Sequence, residues 1–262
     1  MNVYDALSLK GKVAIVTGGS GNLGSAMTHA LFEAGADVYV LGRSKTSFDN
    51  NKFNTEHIFF LEGDIMSTAS IKSCYEKVIA EKGHIDILIN NALAIDGGGK
   101  LPEEISDEMW AYTADGLTGS VHRCIREVEV HMIKNGGGKI INIASMYGLI
   151  SPKLSMYDGV CRPFLNPIHY GAMKAAVIQM TKYYGAYLIE KGINVNCITP
   201  GTFPSAVVQE NGEFVKRLSK MNPANRIGKA EDIKGTTLLL SSSASDYIVG
   251  QNIIIDGGWT IW

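Results

Sequence analysis

The sequence predicts a single α/β domain built on one doubly wound parallel sheet, with helices on both faces. Short apolar runs rich in β-branched residues, typical of buried parallel strands, alternate with longer helical segments from residue 12 to residue 256. The chain has 262 residues and shows no repeat, low-complexity tract or linker that would divide it. That length suits one large domain. We therefore expect one domain over residues 1–262.

The individual elements follow from the same patterns. The predicted strands cover residues 12–17, 37–41, 58–61, 85–89, 139–144, 194–199 and 253–255. The predicted helices cover residues 25–34, 70–82, 105–134 (one long helix or two joined helices), a segment that carries Tyr170 and reaches about residue 190, 213–220 and 231–241. Residues 150–167 contain three prolines and predict an irregular loop above the ligand crevice. Residues 202–222 predict a mobile segment.

A glycine-rich turn follows the first strand. Residues 18–24 read Gly-Gly-Ser-Gly-Asn-Leu-Gly and stand between a strand and a helix. Glycines keep such a turn tight and let a pyrophosphate approach the helix N-terminus, where free N–H groups and the helix dipole favour negative charge. A purely structural turn is the alternative, but the order strand, turn, helix favours dinucleotide binding.

The end of the second strand indicates which dinucleotide is bound. Many NAD-binding proteins carry an acidic residue there, which holds the ribose 2′-hydroxyl. Here the chain reads Gly42-Arg43-Ser44 and offers a guanidinium and a hydroxyl instead. These groups suit a 2′-phosphate, so the sequence favours NADP over NAD. A solvated surface arginine is the alternative interpretation of Arg43.

Tyr170 and Lys174 are the strongest candidates for chemistry. They are four residues apart, so a helix places both on one face. A lysine ammonium lowers the pKa of a neighbouring phenol from its usual value of about 10, which makes the pair a candidate proton-transfer device. An amphipathic helix that happens to carry both residues is the alternative. Asp64 and Asn90 also follow strands, but they suit a helix cap and a turn equally well.

Composition excludes several classes of function. The formal charge of −2 gives no reason to expect nucleic acid or an anionic membrane as partner. No apolar run approaches the roughly 20 residues of a membrane span, and the N-terminus lacks the pattern of a signal peptide. The four cysteines are far apart and form no Cys-x-x-Cys, so we expect neither a metal site nor disulfides. Free thiols suit a reducing cytoplasm, where we expect the protein to be located.

Taken together, the motifs resemble those of the short-chain dehydrogenase/reductase family over nearly the whole chain. The family's cofactor turn, Thr-Gly-x-x-x-Gly-x-Gly, is similar to residues 17–24, with Asn22 in place of the middle glycine. Asparagine tolerates left-handed backbone, so we expect the turn to be retained. The family's Asn-Asn-Ala-Gly resembles residues 90–93, where Leu93 replaces the glycine. The C-terminal Gln251 and residues 256–258 also fit the family.

This resemblance implies a Rossmann-like fold and an NAD(P)-dependent oxidoreductase that interconverts an alcohol and a ketone by hydride transfer. The family's catalytic serine corresponds to Ser145, and its Tyr-x-x-x-Lys corresponds to Tyr170 and Lys174. Tyr170 would transfer the proton, Lys174 would lower its pKa and hold the nicotinamide ribose, and Ser145 would bond the substrate oxygen. The resemblance also implies a homotetramer or homodimer. The residues expected to bind cofactor are Gly18, Ser20, Asn22, Leu23, Arg43, Ser44, Asp64, Ile65, Asn91, Ala92, Tyr170, Lys174, Pro200, Gly201, Thr202 and Phe203.

Two departures from the family pattern stand out. Gly116 occupies the position of an asparagine that holds a water in the family's proton relay, so another group or a free water must serve here. Ser145 and Tyr170 are 25 positions apart, about twice the family's usual spacing. Tyr157 lies nearer that spacing but has Cys161, not a lysine, four residues later. The surplus is the loop 150–167, which we expect to be a lid or a wall of the substrate pocket.

The substrate is indicated less directly. Polar residues of the loop after the fourth predicted strand and of the insertion 150–167 suggest a hydroxylated substrate such as a sugar, uronate or sugar acid. These residues are Asp96, Lys100, Lys153, Asp158, Arg162 and Asn166. The insertion also resembles those of gluconate-type and amino-sugar-type oxidoreductases. A 3-oxoacyl-[acyl-carrier-protein] reductase and a non-catalytic dinucleotide-binding protein are the alternatives. His169 is expected to be structural, and the apolar residues 259–262 to lie at a subunit interface or over the pocket, with a core contact as the alternative.

Overall fold

Seven short strands form one parallel sheet in the computed structural model, which describes residues 2–53 and 56–261. The strands are β1 (Val13–Thr17), β2 (Asp37–Gly42), β3 (Ile58–Glu62), β4 (Ile87–Asn90), β5 (Gly138–Ile143), β6 (Ile193–Pro200) and β7 (Asn252–Ile255). Their order across the sheet is β3-β2-β1-β4-β5-β6-β7, and every neighbouring pair is parallel. The order reverses between β1 and β4, and the crevice outside this switch point is where doubly wound sheets bind ligands.

Helices cover both faces of the sheet. They are α1 (Val3–Leu7), α2 (Asn22–Glu33), α3 (Lys45–Asn50), α4 (Thr68–Lys82), α5 (Asp107–Ala114), α6 (Ser120–Lys134), α7 (Ile168–Leu188), α8 (Ala206–Gln209), α9 (Gly212–Lys220) and α10 (Lys234–Ser241). One apolar core joins the sheet to α4, α6 and α7, and a second joins the opposite face to α2 and α10. The doubly wound prediction is therefore confirmed.

The strands form where the sequence places them, because their side chains are buried on both faces. Every residue of β1 is buried, which a continuous apolar or β-branched run tolerates and an amphipathic one does not. Every residue of β6 is buried too, and its Asn194 and Asn196 are accommodated because their side-chain amides donate to the carbonyl oxygen of Ile248. Most bounds differ from the predicted ones by one to three residues. Three short helices, α1, α3 and α8, were not predicted, because each is only one or two turns long. Of these, α1 and α3 also depend on a side-chain cap from Asn2 or Ser44.

The predicted helix over residues 105–134 is divided. A π-helical turn, Asp115–Gly119, separates α5 from α6. It lies where Gly116 meets the chain after β4, since a Cβ built on Gly116 would stand 2.1 Å from the carbonyl oxygen of Ala94. The close approach of two backbones explains both the glycine and the local change of helix type.

The insertion over residues 150–167 is more regular than its prolines predict. It contains two 3₁₀ segments, Leu154–Tyr157 and Gly159–Phe164. Met156, Tyr157, Cys161 and Leu165 are buried in a third apolar cluster, which also takes in Phe214 of α9. A loop that buries apolar side chains gains the free energy it needs to adopt one structure.

The C-terminal residues divide between core and surface. Trp259 is buried in the third apolar cluster, which supports the core contact for that side chain, whereas Ile261 is exposed. Trp262 lies outside the described residues. Within them, no helix is both long and apolar enough to cross a membrane. The same residues contain no group of His, Cys, Asp or Glu arranged to hold a metal ion.

Candidate active site

A cavity of about 540 Å³ lies over the carboxyl ends of β1 to β4. Eleven of the residues expected to bind cofactor line it: Gly18, Ser20, Asn22, Leu23, Arg43, Ser44, Asp64, Ile65, Asn91, Ala92 and Phe203. Five others do not: Tyr170, Lys174, Pro200, Gly201 and Thr202. The cavity also uses residues that sequence reasoning did not single out, namely Gly21, Gly24, Leu41, Gly42, Ser47, Gly63, Leu93, Ala94 and Ser205. Gly21 and Gly24 stood within the motif and could have been named from it.

Asn91 holds the glycine turn closed. Its side-chain amide donates to the carbonyl oxygens of Thr17 and Gly18, both at 3.0 Å. Gly18 has φ +63°, a left-handed conformation that glycine adopts without strain, and a Cβ built on Gly24 would stand 2.1 Å from the Gly18 oxygen. The amide of Asn91 therefore shapes the floor of the cavity, and only its remaining atoms can face a ligand.

Asn22 does not need the left-handed backbone expected of it. It is the first residue of α2, and Lys52 and Asn225 are the only non-glycine residues with positive φ in the described part of the chain. Its side-chain amide donates to the carbonyl oxygen of Phe203 at 3.3 Å. The substitution of the family's glycine therefore links the cofactor turn to the segment after β6.

The turn and the neighbouring strand end fit a phosphorylated dinucleotide. Gly21 caps α2 without a side chain, and the first N–H groups of a helix have no intrahelical acceptor, so they are available to a pyrophosphate. Arg43 is exposed beside the cavity and has no ion pair within the described ranges. Ser44 caps α3 by accepting from the N–H of Ser47 at 3.1 Å, which leaves its own O–H free to donate. A guanidinium beside a helix start suits a 2′-phosphate.

Asp64 forms a turn after β3 and is not the cap of the following helix, which the sequence allowed as an alternative. Its carboxylate accepts the N–H of Met66 at 2.9 Å, while Ser67 and not Asp64 caps α4. The turn it forms places Asp64 and Ile65 against the cavity. The residue is therefore both a turn former and a wall of the candidate cofactor site.

A second cavity, of about 370 Å³, contains Ser145 and Tyr170 and shares Phe203 with the first. Ser145 follows β5, and Tyr170 lies in the first turn of α7. Lys174, one turn further along α7, is 4% exposed and donates to the carbonyl oxygen of Ile143 at 2.7 Å. Its Nζ is 5.8 Å from the centre of the Tyr170 ring. Ser145 and Tyr170 therefore line the same cavity, and Lys174, which lines neither cavity, lies one helical turn from Tyr170.

Burial dominates the electrostatics of this cluster. It raises the pKa of Tyr170, and a hydrogen bond with the Ser145 side chain acts in the opposite direction. Burial also lowers the pKa of Lys174 from 10.5 to about 8. The sequence argument assigned the lowering of the Tyr170 pKa to Lys174. That expectation is wrong, because burial outweighs the Ser145 hydrogen bond and the pKa of Tyr170 is raised.

Tyr157 is not an alternative to Tyr170. Its hydroxyl is 2.7 Å from that of Tyr147, and it has no contact with Lys174 comparable to that of Tyr170. Burial raises the pKa of both Tyr147 and Tyr157. Both therefore remain neutral phenols, and the long spacing from Ser145 to Tyr170 is the one that forms the cluster.

At the position of the family's relay asparagine, this chain offers backbone alone. The carbonyl oxygen of Gly116 accepts from the Ser120 hydroxyl at 2.8 Å and from the Ala94 N–H at 3.3 Å. A carbonyl has two lone pairs, and both are used. The Gly116 position therefore has room for neither a side chain nor a bonded water.

The wall of the second cavity is more aromatic than the sequence suggested. Of the six polar residues predicted to line the substrate pocket, only Asn166 does so in this cavity, and no charged side chain among the described residues lines it. Arg162 is exposed, and its guanidinium donates to the carboxylate of Glu104 at 2.6 Å. The wall is made instead by Tyr147, Tyr157, Phe164, Phe203 and Phe214.

His169, beside Tyr170, is structural, as expected. It is fully buried, and its Nε2 lies 3.0 Å from the carbonyl oxygen of Asp96. The bond requires the proton on Nε2 and ties the start of α7 to the loop after β4. His169 therefore fixes the position of Tyr170 without reaching the cavity.

The chain has relatives over its full length. A family model described as enoyl-(acyl carrier protein) reductase matches residues 19–260. The chain is 35% identical over 267 residues to 2-dehydro-3-deoxy-D-gluconate 5-dehydrogenase of Bacillus subtilis (strain 168), with 98% of each chain covered. It is 30% identical over 263 residues to 3-oxoacyl-[acyl-carrier-protein] reductase FabG of Chlamydia pneumoniae, covering 97% of this chain and 99% of the relative.

The fold also matches that of a solved structure over its whole length. The crystal structure of a gluconate 5-dehydrogenase from Burkholderia cenocepacia J2315, in complex with NADP and tartrate, matches with a TM-score of 0.85 and 28% identity. The match covers 100% of both chains. The similarity therefore spans both cavities and the elements that carry them.

Proposed function

Because the chain belongs to the short-chain dehydrogenase/reductase family, we propose that it interconverts a sugar acid and its keto form with NADP as cofactor. It is an NAD(P)-dependent oxidoreductase acting on CH–OH groups. The named activities of the Bacillus and Burkholderia proteins support the sugar-acid class. NADP is supported by the complex of the Burkholderia protein and by Arg43 beside the cavity.

The observation that supports the mechanism is that Ser145 and Tyr170 line one cavity, with the Lys174 Nζ 5.8 Å from the centre of the Tyr170 ring. The bound nicotinamide supplies hydride exchange at the substrate carbon. Tyr170 donates the proton to the substrate oxygen in reduction and accepts it in oxidation. Ser145 bonds the same oxygen and stabilises the charge that develops on it. Lys174 would hold the nicotinamide ribose of the bound cofactor and add positive charge beside the phenol.

Two segments complete the proposed substrate site. The insertion 150–167 forms one wall through Tyr157, Phe164 and Asn166. Residues 202–222, whose Phe214 and Leu218 also line this cavity, are proposed to be the mobile segment that admits the substrate. All residues from 1 to 262 would then form one catalytic domain.

The proton-transfer assignment is tested with Tyr170→Phe. The variant should lose about 10²–10⁴-fold in kcat, because the general acid is gone. NADPH binding, measured by fluorescence titration, should stay close to wild type, since Tyr170 does not line the cofactor cavity. Near-normal turnover in this variant would refute the assignment.

The substrate class is tested with a panel assayed by NAD(P)H absorbance. It contains D-gluconate, 2-dehydro-3-deoxy-D-gluconate, a uronate, cyclohexanol and a β-ketoacyl thioester. The proposal expects the highest kcat/KM for a sugar acid. A preference for the thioester, or a folded protein that binds NADPH and turns over no substrate, would refute it.

A 3-oxoacyl-[acyl-carrier-protein] reductase is the second candidate. The lack of a lining charge among the described residues of the second cavity favours it, because a carboxylate gains from a cationic partner and an acyl chain does not. The 30% identity to the Chlamydia reductase is consistent with it. The thioester in the panel separates the two.

We also propose that the enzyme is a cytoplasmic homo-oligomer. Trp110, Tyr187 and Ile254 are each more than a third exposed, and large exposed apolar side chains favour a subunit interface. All four cysteines are buried and free, which suits a reducing compartment. Light scattering coupled to size exclusion tests the assembly, and a monomer at micromolar concentration would refute it.

A further inference from the structure

Two tyrosines of the second cavity have no part in the proposed proton transfer. Tyr147 follows Ser145 by two residues, and Tyr157 belongs to the insertion. Their hydroxyl oxygens are 2.7 Å apart, and the side chains are 8% and 4% exposed. The Tyr157 ring packs against Phe214 at 5.4 Å between ring centres. Both rings are therefore held in place beside the reacting groups.

The hydroxyl pair leaves one proton unused. Two phenols carry two O–H donors, and their mutual bond consumes only one of them. Neither hydroxyl has another hydrogen-bond partner among the described residues. Burial keeps the pKa of both groups raised, so both stay protonated at any working pH. One neutral donor is therefore available to a molecule in the cavity.

Thr202 gives an independent observation on the same cavity. Its Oγ1 is buried and has no hydrogen-bond partner, while the residue is 8% exposed and lines the cavity that holds Ser145. An unsatisfied buried hydroxyl costs free energy, so native chains retain few of them.

We propose that Tyr147, Tyr157 and Thr202 are specificity-determining residues that bind hydroxyl or carboxylate oxygens of a sugar acid at positions other than the reacting carbon. The assignment rests on the proposed function and names the groups that recognise its substrate. No charged side chain among the described residues lines this cavity. Neutral O–H groups can still donate to a carboxylate, so the three hydroxyls account for the recognition of an acid there.

The test compares Tyr157→Phe and Thr202→Val with two matched controls. Thr202→Ser keeps the hydroxyl, and Tyr247→Phe removes a phenol hydroxyl from a fully exposed side chain. The measured quantity is the ratio of kcat/KM for the best sugar acid of the panel to that for cyclohexanol, which has no second oxygen. Tyr157→Phe and Thr202→Val should lower the ratio about 10–100-fold. Thr202→Ser and Tyr247→Phe should leave it within about threefold of wild type.

A double substitution, Tyr147→Phe with Tyr157→Phe, adds a second readout. Each single substitution removes the partner that holds the remaining phenol O–H in place, whereas the double variant removes the donor altogether, so its ratio should be at least as low as that of either single variant. Thermal unfolding of Thr202→Val should match wild type, since no internal bond is lost. A structural role for Thr202 would instead lower its Tm and reduce both activities together.

Failure of this inference is distinguishable from failure of the proposed function. A wild type that oxidises cyclohexanol and no sugar acid refutes the proposed function and this inference with it. A wild type that oxidises a sugar acid, with an unchanged ratio in Tyr157→Phe and Thr202→Val, refutes the inference alone. A raised KM for NADP in Thr202→Val, without a fall in the ratio, would assign that residue to the cofactor.

Discussion

Replacing Gly116 by Ala tests why this chain lacks a side chain at the position of the relay asparagine. A Cβ at Gly116 would stand 2.1 Å from the carbonyl oxygen of Ala94 and 2.8 Å from its carbonyl carbon and its Cβ. Ordinary contacts of this kind begin at about 3.4 Å. Either the π-helical turn or the segment after β4 must therefore move by roughly 1 Å.

The free-energy cost follows from that displacement. Overpacking of a well-packed interior typically costs about 1–3 kcal/mol. The matched control is Gly235→Ala in α10, where an added Cβ meets no atom within 4 Å. There the helix should gain about 0.5–1 kcal/mol. The two variants should thus differ by about 1.5–4 kcal/mol in stability, or about 3–16 °C in Tm for a chain of this size.

Scanning calorimetry or circular dichroism measures the difference, and NADPH titration reports on the neighbouring cavity, which Ala94 lines. Gly116→Asn, which restores the family's residue, should be less stable still and should not raise kcat. Equal Tm values for Gly116→Ala and Gly235→Ala, or a faster Gly116→Asn enzyme, would refute the steric argument.

Two further predictions concern charge. Replacing Arg43 by Ala should raise the KM for NADPH about 10–100-fold, because a charge-assisted bond to phosphate contributes about 1.5–3 kcal/mol. The KM for NADH should barely change, and equal effects on both coenzymes would contradict the 2′-phosphate assignment. Replacing Lys174 by Met should flatten the pH dependence of stability. Burial lowers the pKa of Lys174 from 10.5 to about 8, so between these values the unfolded chain binds the extra proton and the wild type gains stability as pH rises. The gain is at most about 3 kcal/mol. Denaturant unfolding at about pH 7.5 and about pH 9.5 measures it, and an equal gain in Lys174→Met would contradict the assignment.

The fold could be predicted from the sequence because its strands are buried on both faces. A strand such as β1, paired with β2 and β4 and buried at every position, requires an uninterrupted apolar or β-branched run, which is visible in the sequence. The order of the strands has no such local signal. The predicted doubly wound sheet left that order open, and the structure gives it as β3-β2-β1-β4-β5-β6-β7.

The candidate site likewise contains residues that sequence spacing predicts and contacts that only the tertiary structure creates. Tyr170 and Lys174 lie on one helix, so their spacing alone predicts that they share a face. The Tyr147–Tyr157 pair and the unpartnered hydroxyl of Thr202 depend on how the insertion and the chain after β6 pass each other. Asn91 was predicted as a cofactor ligand, yet its amide is used on the backbone of Thr17 and Gly18. Only the tertiary path of the chain decides such contacts.

The insertion shows how the substrate wall can change while the proton-transfer groups stay in place. Its ends are fixed by β5 and α7, and its middle is held by Arg217, whose guanidinium donates to the carbonyl oxygens of Met156 and Asp158 at 3.1 and 3.0 Å. Doubling the length of a loop costs only about 0.6 kcal/mol in closure entropy. Burial of Met156 and Tyr157 offsets that cost, at about 1.5–3 kcal/mol for a fully buried large side chain. A longer loop can therefore supply new hydroxyl groups to the cavity without separating Ser145 from Tyr170, so substrate recognition is free to change while the chemistry is retained.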